Sequence, residues 1–205
     1  MIGLIDYGSG NINAIANIYQ RLNINFVQSR DIDVLSKADK LVLPGVGAFD
    51  ETMRLMSSLG LVDPLNDLVL NRKVPILGVC VGMQILGESS DEGDLPGFGW
   101  IKGKVKKLEE APIQHKPRLP HMGWNTIEIK KQTGLLEGIE HDLGFYFLHN
   151  YYFECESVDD IVATTEYGLV IHSAVNSGNV YGVQFHPEKS HSNGIKVFTN
   201  FANLI

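Results

Sequence analysis

Cysteine is scarce. Cys80 and Cys155 are the two in a chain of 205 residues, too few for the disulfide framework of a small secreted domain. A reduced, cytoplasmic setting is therefore expected. Basic charge is short as well: Lys and Arg number 17 against 24 Asp and Glu, a formal net charge of -7. Phosphate backbones are held by a surplus of Lys and Arg, which argues against a nucleic-acid binder. Long apolar runs are missing, and the opening Met1-Ile2-Gly3-Leu4-Ile5-Asp6 carries no basic stretch, so neither a membrane span nor a signal peptide is expected. No Cys/His spacing suits zinc. No repeat, low-complexity segment or linker is visible, and a single domain over residues 1–205 is expected.

What is present is an alternation of short apolar runs and helical periodicity. Ile2–Ile5 reads as a buried strand ending at Gly8-Ser9-Gly10, followed by Ala14, Ile15, Ile18 and Leu22 at helical spacing. Asn23–Val27, Leu41–Leu43 and Val74–Val79 read as further strands. Met53–Leu70 reads as mainly helical, and Val81, Ile85 and Leu86 suit another helix. Continuous apolar strands between helices imply a parallel sheet covered on both faces. The second half is strand-rich: Trp100–Leu108, Asn125–Ile129, Gly144–Leu148, Ile161–Thr165, Val170–Ala174 and Val180–Phe185. Few helices separate these segments, so antiparallel extensions of the sheet are expected, closed by a helix at Gly194–Leu204. Glu110–Pro120, with three prolines, reads as a surface loop. The local basic cluster Lys102, Lys104, Lys106 and Lys107 alternates with Gly103 and Val105 and runs into Glu109 and Glu110. It reads as the solvated face of a strand.

Chemistry concentrates in Gly78-Val79-Cys80-Val81-Gly82-Met83-Gln84. A Gly-x-nucleophile-x-Gly pattern between strand and helix is a nucleophile elbow, whose glycines permit the sharp turn and keep side chains away from the reactive atom. A cysteine there lies at a helix N-terminus, which favours the thiolate, and its neighbouring N–H groups can serve an oxyanion. Without that context a cysteine is more often a small buried hydrophobe, which is the reading for Cys155.

A cysteine nucleophile works best with a histidine. His186 follows the strand Val180–Phe185 and precedes Pro187-Glu188. Strand C-terminal ends are where open parallel sheets place active sites, so Cys80 and His186 are expected at one edge. Glu188 is placed to orient the imidazole. His115, His121, His141, His149, His172 and His191 are read as structural neighbours.

Together, Gly78–Gln84 and Tyr181-Gly182-Val183-Gln184-Phe185-His186-Pro187-Glu188 resemble the class I (triad) glutamine amidotransferases along essentially the whole chain. The resemblance implies a flavodoxin-like three-layer α/β/α sandwich, with a mostly parallel central sheet and antiparallel extensions. It implies a Cys80–His186–Glu188 triad with no metal or organic cofactor. It makes Pro44-Gly45-Val46-Gly47 the oxyanion strand, with Val46, Gly47 and Val81 as oxyanion positions. Gly47, Gln84, Asn150 and Tyr151 become the glutamine contacts. Asp6–Asn11, Pro120–Asn125, Tyr146–Tyr152 and His186–Ser190 look more narrowly like the glutaminase subunits of imidazole glycerol phosphate synthases. That likeness implies a heterodimer with a (β/α)8-barrel cyclase subunit that receives the ammonia, in histidine biosynthesis. Asn11, Met122, Trp124, Asn125, Tyr146 and Lys189 would face this partner. The pattern departs at Asn150, where Ser or Thr is usual, and at Val81, where Leu is.

Other readings of the residues compete. A related glutaminase could supply ammonia for amidino-sugar formation, an idea prompted by Gly93–Gly99. A catalytically dead binding module and a cysteine peptidase are further alternatives, and the intact triad residues argue against the first of these two. Gly8-Ser9-Gly10 could cradle a phosphate, although three such residues alone are a weak signal and an interface turn is preferred. Trp124 could be core instead of interface.

Overall fold

The structure, a computed structural model, describes residues 1–110 and 118–204. Thirteen strands run through them: β1 Ile2–Ile5, β2 Phe26–Ser29, β3 Lys40–Leu43, β4 Ile76–Val79, β5 Ser89–Ser90, β6 Gly103–Lys107, β7 His121–Asn125, β8 Glu128–Ile129, β9 Phe145–His149, β10 Tyr151–Cys155, β11 Ile161–Glu166, β12 Val170–Ser177 and β13 Val180–Val183. The α-helices are α1 Ile12–Arg21, α2 Ile32–Leu35, α3 Phe49–Ser58, α4 Val62–Asn66, α5 Val81–Gln84 and α6 His191–Asn203.

The central sheet has the order β2-β1-β3-β4-β13-β12-β11-β8. Its first five strands are parallel and its last three are added antiparallel. Side chains alternate between two cores, as strand periodicity demands. In β3, Leu41 and Leu43 join a core with α3 and α4, while Val42 joins the one formed with α1 and α6. The layers are thus α/β/α. On the α3 side sits a small sheet, β10-β6-β5; on the α1 and α6 side sits the ribbon β7-β9.

Several sequence boundaries move. The strand expected at Asn23–Val27 begins at Phe26, because Asn23 adopts φ +54 just past the end of α1. The long helix expected over Met53–Leu70 breaks at Gly60, φ +65, and resumes as α4 and a π-helical turn, Asp67–Asn71. The helix after Cys80 stops at Gln84 after a single turn, although Ile85 and Leu86 are fully buried. Asn125–Ile129 is not one strand: Asn125 ends β7 and Glu128 begins β8, in different sheets. The seven-residue stretch 111–117 of the expected loop Glu110–Pro120, with His115, lies outside the described residues. The lysine face is as expected: Lys102, Lys104 and Lys106 pair with Glu88, Asp91 and Glu154, exposed contacts of small energetic weight. Among the described residues no helix is long and apolar enough to cross a membrane.

Candidate active site

The topology joins the two motifs. β4 and β13 are parallel neighbours in register, Val79 opposite Val183, so both point their C-terminal ends at the same edge. Cys80 follows β4 directly, and its N–H donates to the Val183 carbonyl at 2.8 Å. His186 comes three residues past β13.

Cys80 adopts φ +55, ψ -114, a conformation that L-residues adopt only under restraint from their surroundings. The restraint is backbone packing. A Cβ on Gly78 would lie 2.5 Å from the Gly82 carbonyl oxygen, and one on Gly82 would lie 2.2 Å from the Leu43 oxygen. Gly45 is equally constrained: a Cβ there would meet the Gly82 nitrogen at 2.2 Å. The elbow and the end of β3 touch backbone to backbone.

His186 and Glu188 are buried, with side chains 2% and 1% exposed, and Nδ1 of His186 stands 2.9 Å from Oε1 of Glu188. The Cys80 side chain is the imidazole's other polar neighbour. Burial works against a charged ring here. The Cys80 side chain and the Glu188 carboxylate beside the ring outweigh it and push the His186 pKa up to about 10. The His186 backbone is held by its N–H to the Tyr146 carbonyl, 2.8 Å, and by the Ser190 hydroxyl donating to its own carbonyl, 2.6 Å.

A cleft of about 240 Å³ opens beside this group, below the roughly 300–1,000 Å³ of drug-sized pockets and suited to an amino acid. Val46, Gly47, Cys80, Val81, Gln84, Asn150, Tyr151, His186 and Lys189 line it, together with Glu92, Pro120, Leu148 and His149. A thiol, an imidazole and a carboxylate side by side at the edge of such a cleft are groups that can serve acyl transfer.

A family model, "Glutamine amidotransferase class-I", matches residues 3–204. The chain belongs to that family. Two full-length relatives share the likeness: the chain is 49% identical to "Imidazole glycerol phosphate synthase subunit HisH" of Bdellovibrio bacteriovorus and 47% identical to the protein of the same name from Leptospira borgpetersenii, with 100% of each chain covered. A solved structure described as a glutamine amidotransferase aligns with a TM-score of 0.72 over 98% of both chains at 20% identity, a likeness of fold.

In this glutamine amidotransferase Cys80, His186, Gly47, Gln84, Asn150 and Tyr151 share one cleft, and Glu188 stands behind His186. Gln84 is buried; its Nε2 donates to the Tyr151 carbonyl at 2.8 Å and to Gln184 Oε1 at 3.0 Å. Gln184 in turn lies 3.8 Å from Cys80 Sγ. Gly8-Ser9-Gly10 braces the Pro44–Gly47 segment: Ser9 Oγ donates to the Val46 carbonyl at 2.9 Å, and Gly10 abuts Pro44. Of the residues expected to face a partner, Met122 and Trp124 are 53% and 47% exposed, so Trp124 is not core. Its ring stacks on His191 at 5.2 Å. Lys189 is exposed above the Tyr146 ring. Asn11 donates to Glu188 Oε1 at 3.4 Å, and the Asn125 amide turns inward to His121 and the Glu166 carbonyl.

Sequence reasoning missed Glu92, Leu148, His149 and Gln184. Glu92 sits in Ser89-Ser90-Asp91-Glu92-Gly93, which reads as a solvated turn. It reaches the cleft because its carboxylate accepts the Phe49 N–H, 2.8 Å, at the start of α3. No local signal marks it.

Proposed function

We propose that the chain is the glutaminase subunit of an imidazole glycerol phosphate synthase, acting as a single domain over residues 1–205. The buried Cys80–His186–Glu188 chain at the mouth of an amino-acid-sized cleft carries the reading, and the names of the two full-length relatives give the pathway. Cys80 Sγ attacks the side-chain amide carbon of glutamine. The carbon–nitrogen bond breaks, and the His186 imidazolium gives its proton to the departing ammonia. Neutral His186 then takes a proton from water, which attacks the glutamyl thioester and expels the thiolate, leaving glutamate. N–H groups of Val46, Gly47 and Val81 would receive the oxyanion. Glu92 is the carboxylate available to the substrate ammonium, with Asn150 and Tyr151 near its carboxylate end.

Ammonia would pass to a (β/α)8-barrel cyclase subunit in a heterodimer, giving imidazole glycerol phosphate and aminoimidazole carboxamide ribotide in histidine biosynthesis. The face for that partner is the outer side of the β7-β9 ribbon, where Met122 lies opposite Leu148 and Trp124 opposite Tyr146. Lys189 stands at its rim and Asn11 beside the triad. The cytoplasm suits an enzyme that depends on a reduced thiol, and both cysteines are free. The test is glutamine hydrolysis by the chain alone and with the barrel partner, together with glutamine-dependent formation of imidazole glycerol phosphate by the pair. Hydrolysis without that product would reassign the pathway, to an amidino-sugar partner for example. No hydrolysis in either state would end the glutaminase reading.

A further inference from the structure

Two buried histidines outside the triad form a hydrogen-bonded line whose polarity can be read from end to end. It begins at the Asn125 amide. Asn125 Oδ1 accepts the Thr126 N–H at 2.8 Å, so the other terminus is the NH2. That group lies 3.0 Å from the Glu166 carbonyl and 3.2 Å from His121 Nε2. An NH2 can only donate, so Nε2 of His121 is the acceptor and the proton of the neutral ring is on Nδ1. His121 Nδ1 is 2.9 Å from His149 Nε2 and donates to it, which puts the His149 proton on Nδ1. His149 Nδ1 is 2.8 Å from the Tyr151 carbonyl, an acceptor, and the line closes without conflict.

The surroundings favour this uncharged arrangement. His121 is 2% exposed, stacked between Phe147 and Tyr167 with ring centroids 4.5 and 3.9 Å away. Burial, with the neighbouring His121 and His186, lowers the His149 pKa to about 3. The hydrogen bond to the Tyr151 carbonyl acts the other way and does not offset this. Protonation of either ring would set two donors against each other.

The line ends on the wall of the glutamine cleft. The Tyr151 carbonyl that His149 holds is the one that Gln84 also holds, 2.8 Å away. Leu148, Asn150, Tyr151 and Gln84 all line the cleft, and the Leu148 carbonyl lies 3.9 Å from Cys80 Sγ. The segment from Leu148 to Tyr151 turns from β9 into β10 around the His149 ring, so the ring sets where this wall stands. We propose that His149, held in its Nδ1–H form by His121 and Asn125, is a positioning residue for glutamine. This rests on the glutaminase reading.

Two measurements test it. Nitrogen NMR of histidine-labelled wild-type protein reads the tautomers without any substrate. His149 and His121 are each expected to show a protonated Nδ1 and a bare Nε2, unchanged from about pH 5 to about pH 9, the range in which an ordinary histidine titrates. An Nε2–H form of His149, or titration within that range, overturns the relay. Kinetics in the complex with the barrel partner read the positioning. His149→Phe keeps the ring and loses both hydrogen bonds. It should raise KM for glutamine about tenfold or more, the effect of stranding buried polar partners, while iodoacetamide alkylation of Cys80 stays near the wild-type rate. His149→Asn, whose amide nitrogen falls near Nδ1, should recover much of the lost KM; His149→Gln should not. An unchanged KM in His149→Phe, or a parallel collapse of Cys80 reactivity in all three variants, overturns the positioning role. Failure of the wild type to hydrolyse glutamine would instead sink the glutaminase reading, and the tautomers would still decide the relay.

Discussion

Asn11 Nδ2 lies 3.4 Å from Glu188 Oε1, the same oxygen that stands 2.9 Å from His186 Nδ1. The other carboxylate oxygen, Oε2, is buried with no hydrogen-bond partner among the described residues. Glu188 therefore makes its side-chain contacts through one oxygen, shared between His186 and Asn11. The amide that steadies this oxygen comes from the turn that precedes α1, 177 residues away in sequence.

Glu188→Gln can keep the acceptor facing His186, but it removes the charge and strands an NH2 where Oε2 now sits. It should slow glutamine turnover less than His186→Ala, which removes the acid–base group itself. Parallel steady-state assays decide the order; a slower Glu188→Gln would show that charge, and not proton transfer, is the dominant contribution.

The raised pKa of His186 has a sign. The folded value of about 10 lies above the unfolded value of roughly 6.5. The stabilisation from the charged ring is thus complete below about pH 6.5 and fades as pH climbs through about 10. Denaturant unfolding of wild type and His186→Gln should show a stability gap that narrows over that interval. A gap that widens with pH would contradict the pairing of His186 with Cys80 and Glu188.

Cys80→Ala should reduce glutamine hydrolysis by at least roughly 10³-fold, the scale on which nucleophile removal acts. Synthesis by the complex from added ammonium should persist, because the thiolate is needed only to release ammonia. The two rates can be measured in one assay with either nitrogen source. Glutamine hydrolysis at the wild-type rate would exclude Cys80 as nucleophile.

Gly47 holds φ +111, and a Cβ there would meet nothing closer than Glu51 Oε2 at 3.8 Å. Gly47→Ala therefore costs backbone strain, about 1–3 kcal/mol, and causes no clash. Since Ser9 fixes the carbonyl of the Val46–Gly47 peptide, the strain falls on the segment proposed to serve the oxyanion. The isolated chain should be a weak glutaminase that the partner and its nucleotide ligand activate, and Gly47→Ala should lose this activation while still binding. Turnover measured alone, with partner and with liganded partner separates the cases; equal values in all three would remove the premise of activation.

Trp124 is a large aromatic side chain, half exposed and held flat against His191, the character of an interface anchor. Trp124→Ala should weaken association with the barrel partner by about 2 kcal/mol, roughly thirtyfold in Kd, with the thermal unfolding of the isolated chain little changed. Calorimetric titration measures the first and a melting curve the second. Undiminished affinity would move the docking face elsewhere.

The grouping of Cys80, His186 and Glu188 was legible because these residue types fall in short, distinctive patterns. Gly78, Cys80 and Gly82 are explained by one elbow, and His186 and Glu188 fall within one turn. The parallel half of the fold was legible for a similar reason, since strands buried on both faces are plain apolar runs. β10 was not: Tyr151-Tyr152-Phe153 follows β9 after a single residue, and nothing in an aromatic run marks where one strand leaves a ribbon for another sheet. The His121–His149 pair was equally hidden. Each histidine alone suits a structural role, and a register across 28 residues is what makes them partners. Glu92 depends on the path of a loop over the start of α3, which composition does not encode.

The β7-β9 ribbon presents Met122, Trp124, Tyr146 and Leu148 outward and His121, Phe145 and Phe147 inward. Because its side chains alternate strictly, a single-residue insertion or deletion within either strand would exchange these faces at a stroke, sending the tryptophan into the core and a histidine into solvent. A length change in this stretch is therefore expected to preserve the two faces only in steps of two residues. Across related lineages, the spacing from His121 to Trp124 and from Tyr146 to His149 should drift far less than the identity of the residues between them.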